Sequence, residues 1–153
     1  NPEFLSESSA EFDAKHPDFV IIGADDTKYA GAVKGIYESR FRGTDIILTD
    51  TVTAEMVKVS LNGFYATKVI FANQIYDYCQ KTGANYENIK TALEKAKYGS
   101  KNHFQIYHKG GRGAGGKCLT KDIDALAFET ESILFNSVCG INRRLLVEYP
   151  KNG

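Results

Sequence analysis

The alternation of apolar and polar positions divides the chain into a short α/β segment and a longer helical one. Residues 18–23 (DFVIIG) predict a buried strand, residues 26–40 a helix, and residues 44–48 a second strand. A strand–helix–strand unit needs a larger parallel sheet to cover both of its faces, and no strand pattern follows downstream. We therefore expect the sheet to be incomplete within this chain.

A long apolar helix is predicted next, from Thr51 or Thr53 to the helix stop at residues 81–83 (KTG). Apolar residues occur all around this helix and leave no wide polar face. Such a pattern is typical of a helix that is buried by other helices or by a second chain.

Two further helices complete the pattern. Asn85 is a suitable N-cap for a helix over residues 86–97, and Thr120 is a suitable N-cap for a single helix over residues 120–149. The last helix would span roughly 40 Å, whereas a compact chain of this length has a radius of gyration of about 15 Å. We therefore expect partner chains or another domain to pack along it.

The composition is that of a folded, water-soluble domain, with 42% hydrophobic and 25% charged residues among 153. No apolar run approaches the roughly 18–20 residues of a membrane-spanning helix, and the start of the chain lacks the features of a signal peptide, so we expect a cytoplasmic protein. Cys79, Cys118 and Cys139 are odd in number and far apart, which favours reduced thiols and argues against a structural zinc site. Because the sequence does not begin with Met, we expect it to be part of a longer protein.

The charge is balanced overall but unevenly distributed. Nineteen basic residues equal nineteen acidic ones, which excludes a general attraction to nucleic acid or anionic membranes. Residues 1–50 carry a net charge of −5, whereas residues 95–121 contain seven basic residues and no acidic one. Within the basic segment, residues 109–118 (KGGRGAGGKC) combine basic side chains with bare backbone amides, which suits a phosphate group. The alternative is a flexible, solvated loop with incidental charge.

Four residues are candidates for chemistry. Lys58 and Asn62 stand four residues apart on the long helix and therefore lie on the same side of it. A cation at this position would stabilise negative charge on a substrate oxygen. The alternative is a lysine whose side chain reaches out to solvent, which gives the same pattern. Cys118 ends the glycine run between two lysines and begins a helix, and both features favour the nucleophilic thiolate. Asp122, one turn later, is placed to order a water or to accept a proton. The alternative for Cys118 is a loop thiol without chemistry.

Four segments form a set of motifs. They are NPEFL at 1–5, HPDFVIIG at 16–23, TAEMVKVSLNGFYATKVIFAN at 53–73 and GAGGKCLTKD at 113–122. In this order and spacing they resemble the UDP-glucose/GDP-mannose dehydrogenase family. Members of that family oxidise the primary alcohol of a nucleotide sugar to the carboxylate with two NAD, as from UDP-glucose to UDP-glucuronate, through a thiohemiacetal and a thioester on cysteine.

The resemblance implies a mainly helical fold with a small α/β remnant. Residues 1–50 correspond to the end of a Rossmann-type NAD-binding domain. Residues 51–153 correspond to the central helical domain, which resembles the C-terminal fold of 6-phosphogluconate dehydrogenase and forms the homodimer core in the family.

The resemblance also implies roles for individual residues. Cys118 corresponds to the nucleophile, and Lys58 and Asn62 to the pair that stabilises oxygen charge. Asp122 corresponds to the acid that holds the catalytic water, and Glu3 to the general base of thioester hydrolysis. The other matched positions contact the cofactor, Glu7 and Lys121, or hold the sugar nucleotide, Phe4, Leu5, Tyr107 and Gly115.

The chain also departs from the family pattern. It has no GxGxxG turn after a first strand to hold the NAD phosphates, so the isolated chain is not expected to turn over. Residues atypical of the pattern are Gln74, Gly111, Arg112, Ala114, Lys117 and Thr120. Two alternatives stay open: a non-catalytic dimerisation module, and a nucleotide or polyanion binder without a redox role. The sequence also leaves open whether the sugar nucleotide is UDP-glucose, UDP-N-acetylmannosamine or GDP-mannose.

Overall fold

The computed structural model describes residues 1–6, 9–96, 103–108 and 110–150, without the Lys117 side chain. The elements in chain order are α1 (Ala10–Lys15), β1 (Phe19–Gly23), α2 (Thr27–Arg40), β2 (Asp45–Thr49), α3 (Thr51–Thr82), α4 (Tyr86–Lys95), α5 (Lys117–Thr130) and α6 (Ile133–Glu148). This order confirms the expected mainly helical fold with a small α/β portion. None of the helices that the structure describes has the length and apolarity needed to span a membrane.

The first compact unit, Asn1–Ser60, contains the α/β portion. Its two strands β1 and β2 pair in parallel, with Ile21 opposite Ile47. The three central residues of β1 are buried, whereas Ile47 and Leu48 of β2 are exposed. The described sheet of this unit is therefore two-stranded, and part of its apolar surface is uncovered.

Carboxylate caps begin the helices of this unit. Asp26 accepts a hydrogen bond from the backbone N–H of Lys28 at the start of α2 (2.7 Å). Asp50 accepts from the backbone N–H (2.8 Å) and from the hydroxyl (2.7 Å) of Thr53 at the start of α3. The side-chain and backbone hydrogen bonds from Thr53 hold the pKa of Asp50 below its usual value, because they stabilise the carboxylate form.

The second compact unit, Leu61–Gly153, contains the rest of α3 and the later helices. Along this part of α3 one face is buried, while Phe64, Phe71 and Tyr78 are exposed at intervals of seven residues. Seven residues are close to two helical turns, so these three rings lie on one side of the helix. The exposed side of α3 in this unit therefore carries three aromatic rings, beside polar residues such as Gln74 and Lys81.

A small core joins α3 to α4 within the second unit. Asn85 caps α4 as expected and accepts from the backbone N–H of Asn88 (3.1 Å). Tyr86 is buried with Phe104 and donates its hydroxyl to the Phe104 carbonyl (2.5 Å). Burial raises the pKa of Tyr86 to about 12. α4 ends at Lys95 with Ala96 in an extended conformation as its C-cap, so the predicted end at residue 97 is two residues too late.

The single helix predicted over residues 120–149 is wrong. Glu131 adopts a left-handed backbone conformation (φ +51°) and separates α5 from α6. The two helices fold back and pack against each other, and the buried Cys139 thiol donates to the carbonyl of Ile123 (3.4 Å). The break falls in the polar run at residues 129–132 (ETES), which offers no apolar side chain to hold the helices in line. The length argument for a packing partner therefore loses its support.

The predicted start of that helix is wrong as well. α5 begins at Lys117 with Gly116 as its N-cap, so Thr120 lies inside the helix. The Thr120 hydroxyl donates to the carbonyl of Gly116 (2.8 Å), one turn back along α5. This earlier start places Cys118 within the first turn of the helix.

Candidate active site

The glycine loop, residues 110–116, leads into α5 and is held in place by a buried asparagine of α6. Asn142 accepts from the backbone N–H of Ala114 (2.7 Å) and donates to the Ala114 carbonyl (3.0 Å). Both residues are buried. Beside them Gly113 has a φ of +86° and packs so closely that a Cβ there would lie 2.8 Å from Asn142 Oδ1. This part of the loop is therefore fixed by hydrogen bonds and close packing.

Cys118 follows this loop and is exposed, whereas Cys79 and Cys139 are buried. This difference in exposure confirms the expectation that Cys118 is accessible and that the other two thiols are buried in apolar helices. Cys118 is the second residue of α5, where the free N–H groups of the first turn favour a negative charge. Burial and a hydrogen bond with Asp124 raise the pKa of Cys139 to about 11. Of the three thiols, Cys118 is the one whose position suits a nucleophile.

Asp122 and Asn62 meet in the interior of the second unit, although 60 residues separate them in the chain. The Asn62 amide donates to Asp122 Oδ2 at 2.5 Å, and both side chains are buried. The ammonium of Lys121, which is exposed, lies 3.4 Å from the other carboxylate oxygen. The Asp122 carboxylate is thereby fixed, and it stands one helical turn after Cys118 along α5.

Three other candidates meet within the first unit. Lys58 is half-buried and donates to the backbone carbonyl of Glu3 (2.6 Å), and its ammonium lies 5.3 Å from the centre of the Phe4 ring. The Phe4 ring in turn packs on Phe19 of β1, with 4.7 Å between ring centres. Lys58 thus binds the chain start through a backbone oxygen, while the Glu3 side chain stays exposed.

The remaining candidates are placed as follows. Leu5 and Tyr107 are exposed and Gly115 is half-buried, while Glu7 lies outside the described residues. Tyr107 packs edge-on against Tyr76 of α3, and a hydrogen bond between the two hydroxyls, together with burial, raises the pKa of Tyr76.

A buried cluster surrounds Arg112, and the sequence pattern does not predict it. The pattern places Arg112 among the basic residues that suit a phosphate, but its side chain is only 3% exposed and its guanidinium lies 2.7 Å from Asp77 Oδ1. It also donates from Nε to the side-chain oxygen of Asn73 (2.9 Å). Two features of the sequence could have indicated this cluster: an arginine inside a glycine run, and the polar Asn73 and Asp77 four residues apart on an apolar helix, where buried polar groups need partners.

An open cleft of about 500 Å³ lies beside this cluster. Its lining includes Tyr107, which the family resemblance assigns to the sugar nucleotide, together with Arg112 and Tyr149. Among the described residues, no three His, Cys, Asp or Glu side chains are grouped to hold a metal ion.

Comparisons with known proteins agree with this fold. The family model for the UDP-glucose/GDP-mannose dehydrogenase family, central domain, matches residues 52–143. The UDP-glucose 6-dehydrogenase of Rickettsia conorii is 36% identical over 126 residues, which is 82% of this chain and 28% of that protein.

Solved structures give the same result. A UDP-glucose dehydrogenase from the archaeon Pyrobaculum islandicum matches with a TM-score of 0.83 and 30% identity, over 94% of this chain and 33% of that one. A UDP-D-ManNAc dehydrogenase from Pyrococcus horikoshii matches with a TM-score of 0.78 and 26% identity, over 96% of this chain and 34% of that one. This chain thus spans about a third of the length of these relatives. Because the family model covers more than half of the chain and the fold agrees, the chain belongs to the UDP-glucose/GDP-mannose dehydrogenase family.

Proposed function

We propose that residues 51–153 form the cysteine-bearing central domain of an NAD-dependent nucleotide-sugar 6-dehydrogenase, of the type that converts UDP-glucose to UDP-glucuronate. In this proposal, residues 1–50 belong to its cofactor-binding domain. The observation that carries the proposal is the placement of Cys118. It is exposed in the first turn of α5, directly after an anchored glycine loop and one turn before a buried carboxylate.

In the proposed reaction Cys118 attacks the aldehyde carbon of the half-oxidised sugar. The sulfur–carbon bond forms as the carbonyl electron pair moves to oxygen, which takes up a proton to give a thiohemiacetal. Lys58 and Asn62 are assigned to the negative charge that develops on oxygen. NAD, when bound, accepts the hydride that leaves the carbon in each of the two oxidations.

The second half of the proposed reaction is hydrolysis of the thioester. A water attacks the carbonyl carbon, Glu3 takes a proton from that water, and the carbon–sulfur bond breaks to release the Cys118 thiolate and the sugar carboxylate. Asp122 is assigned to orient the water. Its support is the hydrogen bond from Asn62, because a carboxylate fixed in the interior keeps its direction without reorganisation.

Residues for the substrate and the cofactor are proposed from the family pattern. Tyr107 and Gly115, with Phe4 and Leu5, are assigned to the sugar nucleotide, and Tyr107 is supported by its position in the cleft. Lys121 is exposed and suited to a cofactor phosphate, and Glu7 is assigned beside it by the resemblance.

The turn between β1 and α2 does not fit the pyrophosphate of NAD. Asp25 and Asp26 lie there, and the Asp26 carboxylate already accepts a hydrogen bond from the backbone N–H of Lys28 in the first turn of α2. A phosphate at this helix start would meet like charge. The proposal therefore assigns no NAD phosphate to this turn.

We also propose that the chain is a homodimer through α3. The support is the exposed aromatic stripe of Phe64, Phe71 and Tyr78 on one side of the helix, because three exposed rings in line are typical of a surface that another chain covers. The same stripe would serve a non-catalytic dimerisation module, so dimerisation alone does not separate the two functions.

The test is protection of Cys118 by the substrate. Native chain is alkylated with iodoacetamide, with and without UDP-glucose, and each thiol is quantified by mass spectrometry. We expect Cys118 to react fastest, since Cys79 and Cys139 are buried, and we expect UDP-glucose to slow Cys118 alone.

Free glucose and an unrelated polyanion are the matched controls. Equal protection by the polyanion would support a general anion binder instead. If Cys118 reacts no faster than the buried thiols, or if saturating UDP-glucose leaves its rate unchanged, the proposed catalytic role is wrong.

A further inference from the structure

We propose that Arg112 is a positioning residue that fixes the glycine loop and thereby the helix start that carries Cys118. This inference rests on the proposed role of Cys118 as the nucleophile. It concerns a residue that the family pattern does not supply at this position, and its basis is the buried cluster described above.

The Arg112 guanidinium is held by hydrogen bonds from Nε and Nη2 and by two aromatic rings. It donates to the Asn73 side-chain oxygen (2.9 Å), to the Asn73 carbonyl (3.3 Å) and to the Asp77 carboxylate (2.7 Å). The rings of Tyr76 and Tyr149 flank it, with their centres 5.2 Å and 4.7 Å away. A planar guanidinium suits this site because it donates in a fixed fork and stacks on aromatic rings at the same time.

The backbone of Arg112 is held as firmly as its side chain. Its N–H donates to the carbonyl of Tyr149 at the end of α6 (3.1 Å). Just before it, Gly111 forms an antiparallel bridge with His108 through two backbone hydrogen bonds of 2.9 Å and 3.2 Å. One residue therefore joins the loop to both α3 and α6.

The path from Arg112 to the thiol is short and has a second anchor. Ala114, two residues later, is held by Asn142 through the two hydrogen bonds described above. Gly116 then caps α5, and Cys118 follows two residues further on. With both anchors in place the loop has little freedom, so the first turn of α5 keeps its free N–H groups beside the sulfur.

This arrangement also limits what Arg112 can do directly. Arg112 lines the cleft, but its side chain is only 3% exposed and its Nε and Nη2 donors are directed to Asn73 and Asp77. Its contribution to the site is therefore indirect and passes through the loop.

The test compares Arg112→Ala and Arg112→Lys with Arg143→Ala. Arg143 is a matched control because it pairs with Asp124 at the same 2.7 Å but on the exposed surface of α5 and α6. The readouts are the pH profile of Cys118 alkylation without substrate and the amide hydrogen exchange of residues 113–118. The titratable neighbours along α5, Lys121 and Asp122, stay unchanged in all three variants.

We expect Arg112→Ala to slow Cys118 alkylation at neutral pH about threefold, to move the profile to higher pH and to speed amide exchange, because a frayed first turn stabilises the thiolate less. Arg112→Lys keeps the charge but loses the fork and should be intermediate. Arg143→Ala should match the parent chain. If folded Arg112→Ala keeps the parent profile, the positioning role is overturned.

If Arg112→Ala does not fold, Asp77→Asn replaces it, since it removes the charge of the half-buried partner and keeps an acceptor oxygen. A parent-like profile in folded Asp77→Asn would equally overturn the inference. This outcome is separate from that of the proposed function. If the pH profile of Cys118 alkylation shifts in the variant but UDP-glucose does not protect Cys118 in the parent chain, the positioning role is supported and the proposed substrate is refuted. If UDP-glucose protects Cys118 but the profile does not shift, the substrate is supported and the positioning role is refuted.

Discussion

Replacing Gly113 with alanine should destabilise the glycine loop, because this position combines a positive φ with close packing. Gly113 has a φ of +86°, and a Cβ at this position would lie 2.8 Å from Asn142 Oδ1 and 3.3 Å from the Leu145 Cβ. Asn142 Oδ1 is the acceptor for the Ala114 N–H. The new methyl group must therefore displace the hydrogen bond that anchors the loop.

The expected magnitude has two parts. An alanine in the left-handed region costs about 1–2 kcal/mol. Displacing Asn142 leaves buried amide groups without partners, which costs about 1–3 kcal/mol. We therefore expect Gly113→Ala to lower the free energy of unfolding by about 2–5 kcal/mol.

Substitutions at two other glycines measure these two contributions to the free energy of unfolding separately. Gly83, just after α3, has a φ of +76° but open space around it, so Gly83→Ala should cost only the backbone part, about 1–2 kcal/mol. Gly140 lies inside α6 with open space and no positive φ, so Gly140→Ala should stabilise the chain by about 0.5–1 kcal/mol.

The assay is urea unfolding of the three variants, followed by circular dichroism in the helical band. The expected order of stability is Gly140→Ala, the parent chain, Gly83→Ala and Gly113→Ala. If Gly113→Ala loses no more free energy than Gly83→Ala, the close packing of Asn142 does not constrain the loop and the reasoning fails.

Three further predictions concern the assembly and the buried ionisable groups. Phe71→Lys should shift the chain toward a 16.9 kDa monomer in sedimentation, whereas Phe128→Lys, at an exposed position of α5, should not. Thermal stability should fall from pH 9 toward 11, since the fold holds Cys139 neutral with its pKa raised to about 11 by burial, and Cys139→Ala should flatten that fall. Lys68→Met should stabilise the chain by about 1 kcal/mol in urea unfolding, because burial lowers the pKa of Lys68 and its ammonium has no hydrogen-bond partner in the part of the chain that the structure describes.

Each of these predictions has a contrary result. A parent chain that sediments as a monomer would remove the proposed dimer. An alkaline decline of the same size in Cys139→Ala would assign it to other groups, such as Tyr86. A less stable Lys68→Met would show that the Phe64 and Phe104 rings, 5.6 Å and 5.0 Å from the ammonium, outweigh its lost hydration.

Periodicity and capping chemistry were enough to predict most elements. The apolar run of α3, the Asn85 cap of α4 and the two strands follow local rules that the printed sequence displays. The exposure of Cys118 was also predictable, because it directly follows two glycines and a lysine, which offer no apolar side chain to cover the thiol.

The remaining features depend on contacts between distant residues. The polar run at residues 129–132 permits a break at Glu131 but does not require one, since the reversal of the chain also depends on α5 and α6 packing on each other. The burial of Arg112 likewise depends on Asn73 and Asp77, which lie more than 30 residues earlier. A count of charges along the sequence assumes that every arginine is exposed to solvent, and for Arg112 that assumption is wrong.

The break at Glu131 also determines which end of α5 and α6 has to be held together. It turns α5 and α6 into a helical hairpin whose contacts are close in sequence, which favours rapid formation from the closed end. Cys118 and Tyr149 are at the opposite, open end, together with the glycine loop that Arg112 joins to α6. Fraying of a hairpin starts at its open end. The hydrogen bonds of Arg112 to Tyr149 and of Ala114 to Asn142 lie at this end, so they hold the segment that carries Cys118 where the pair would otherwise unzip first.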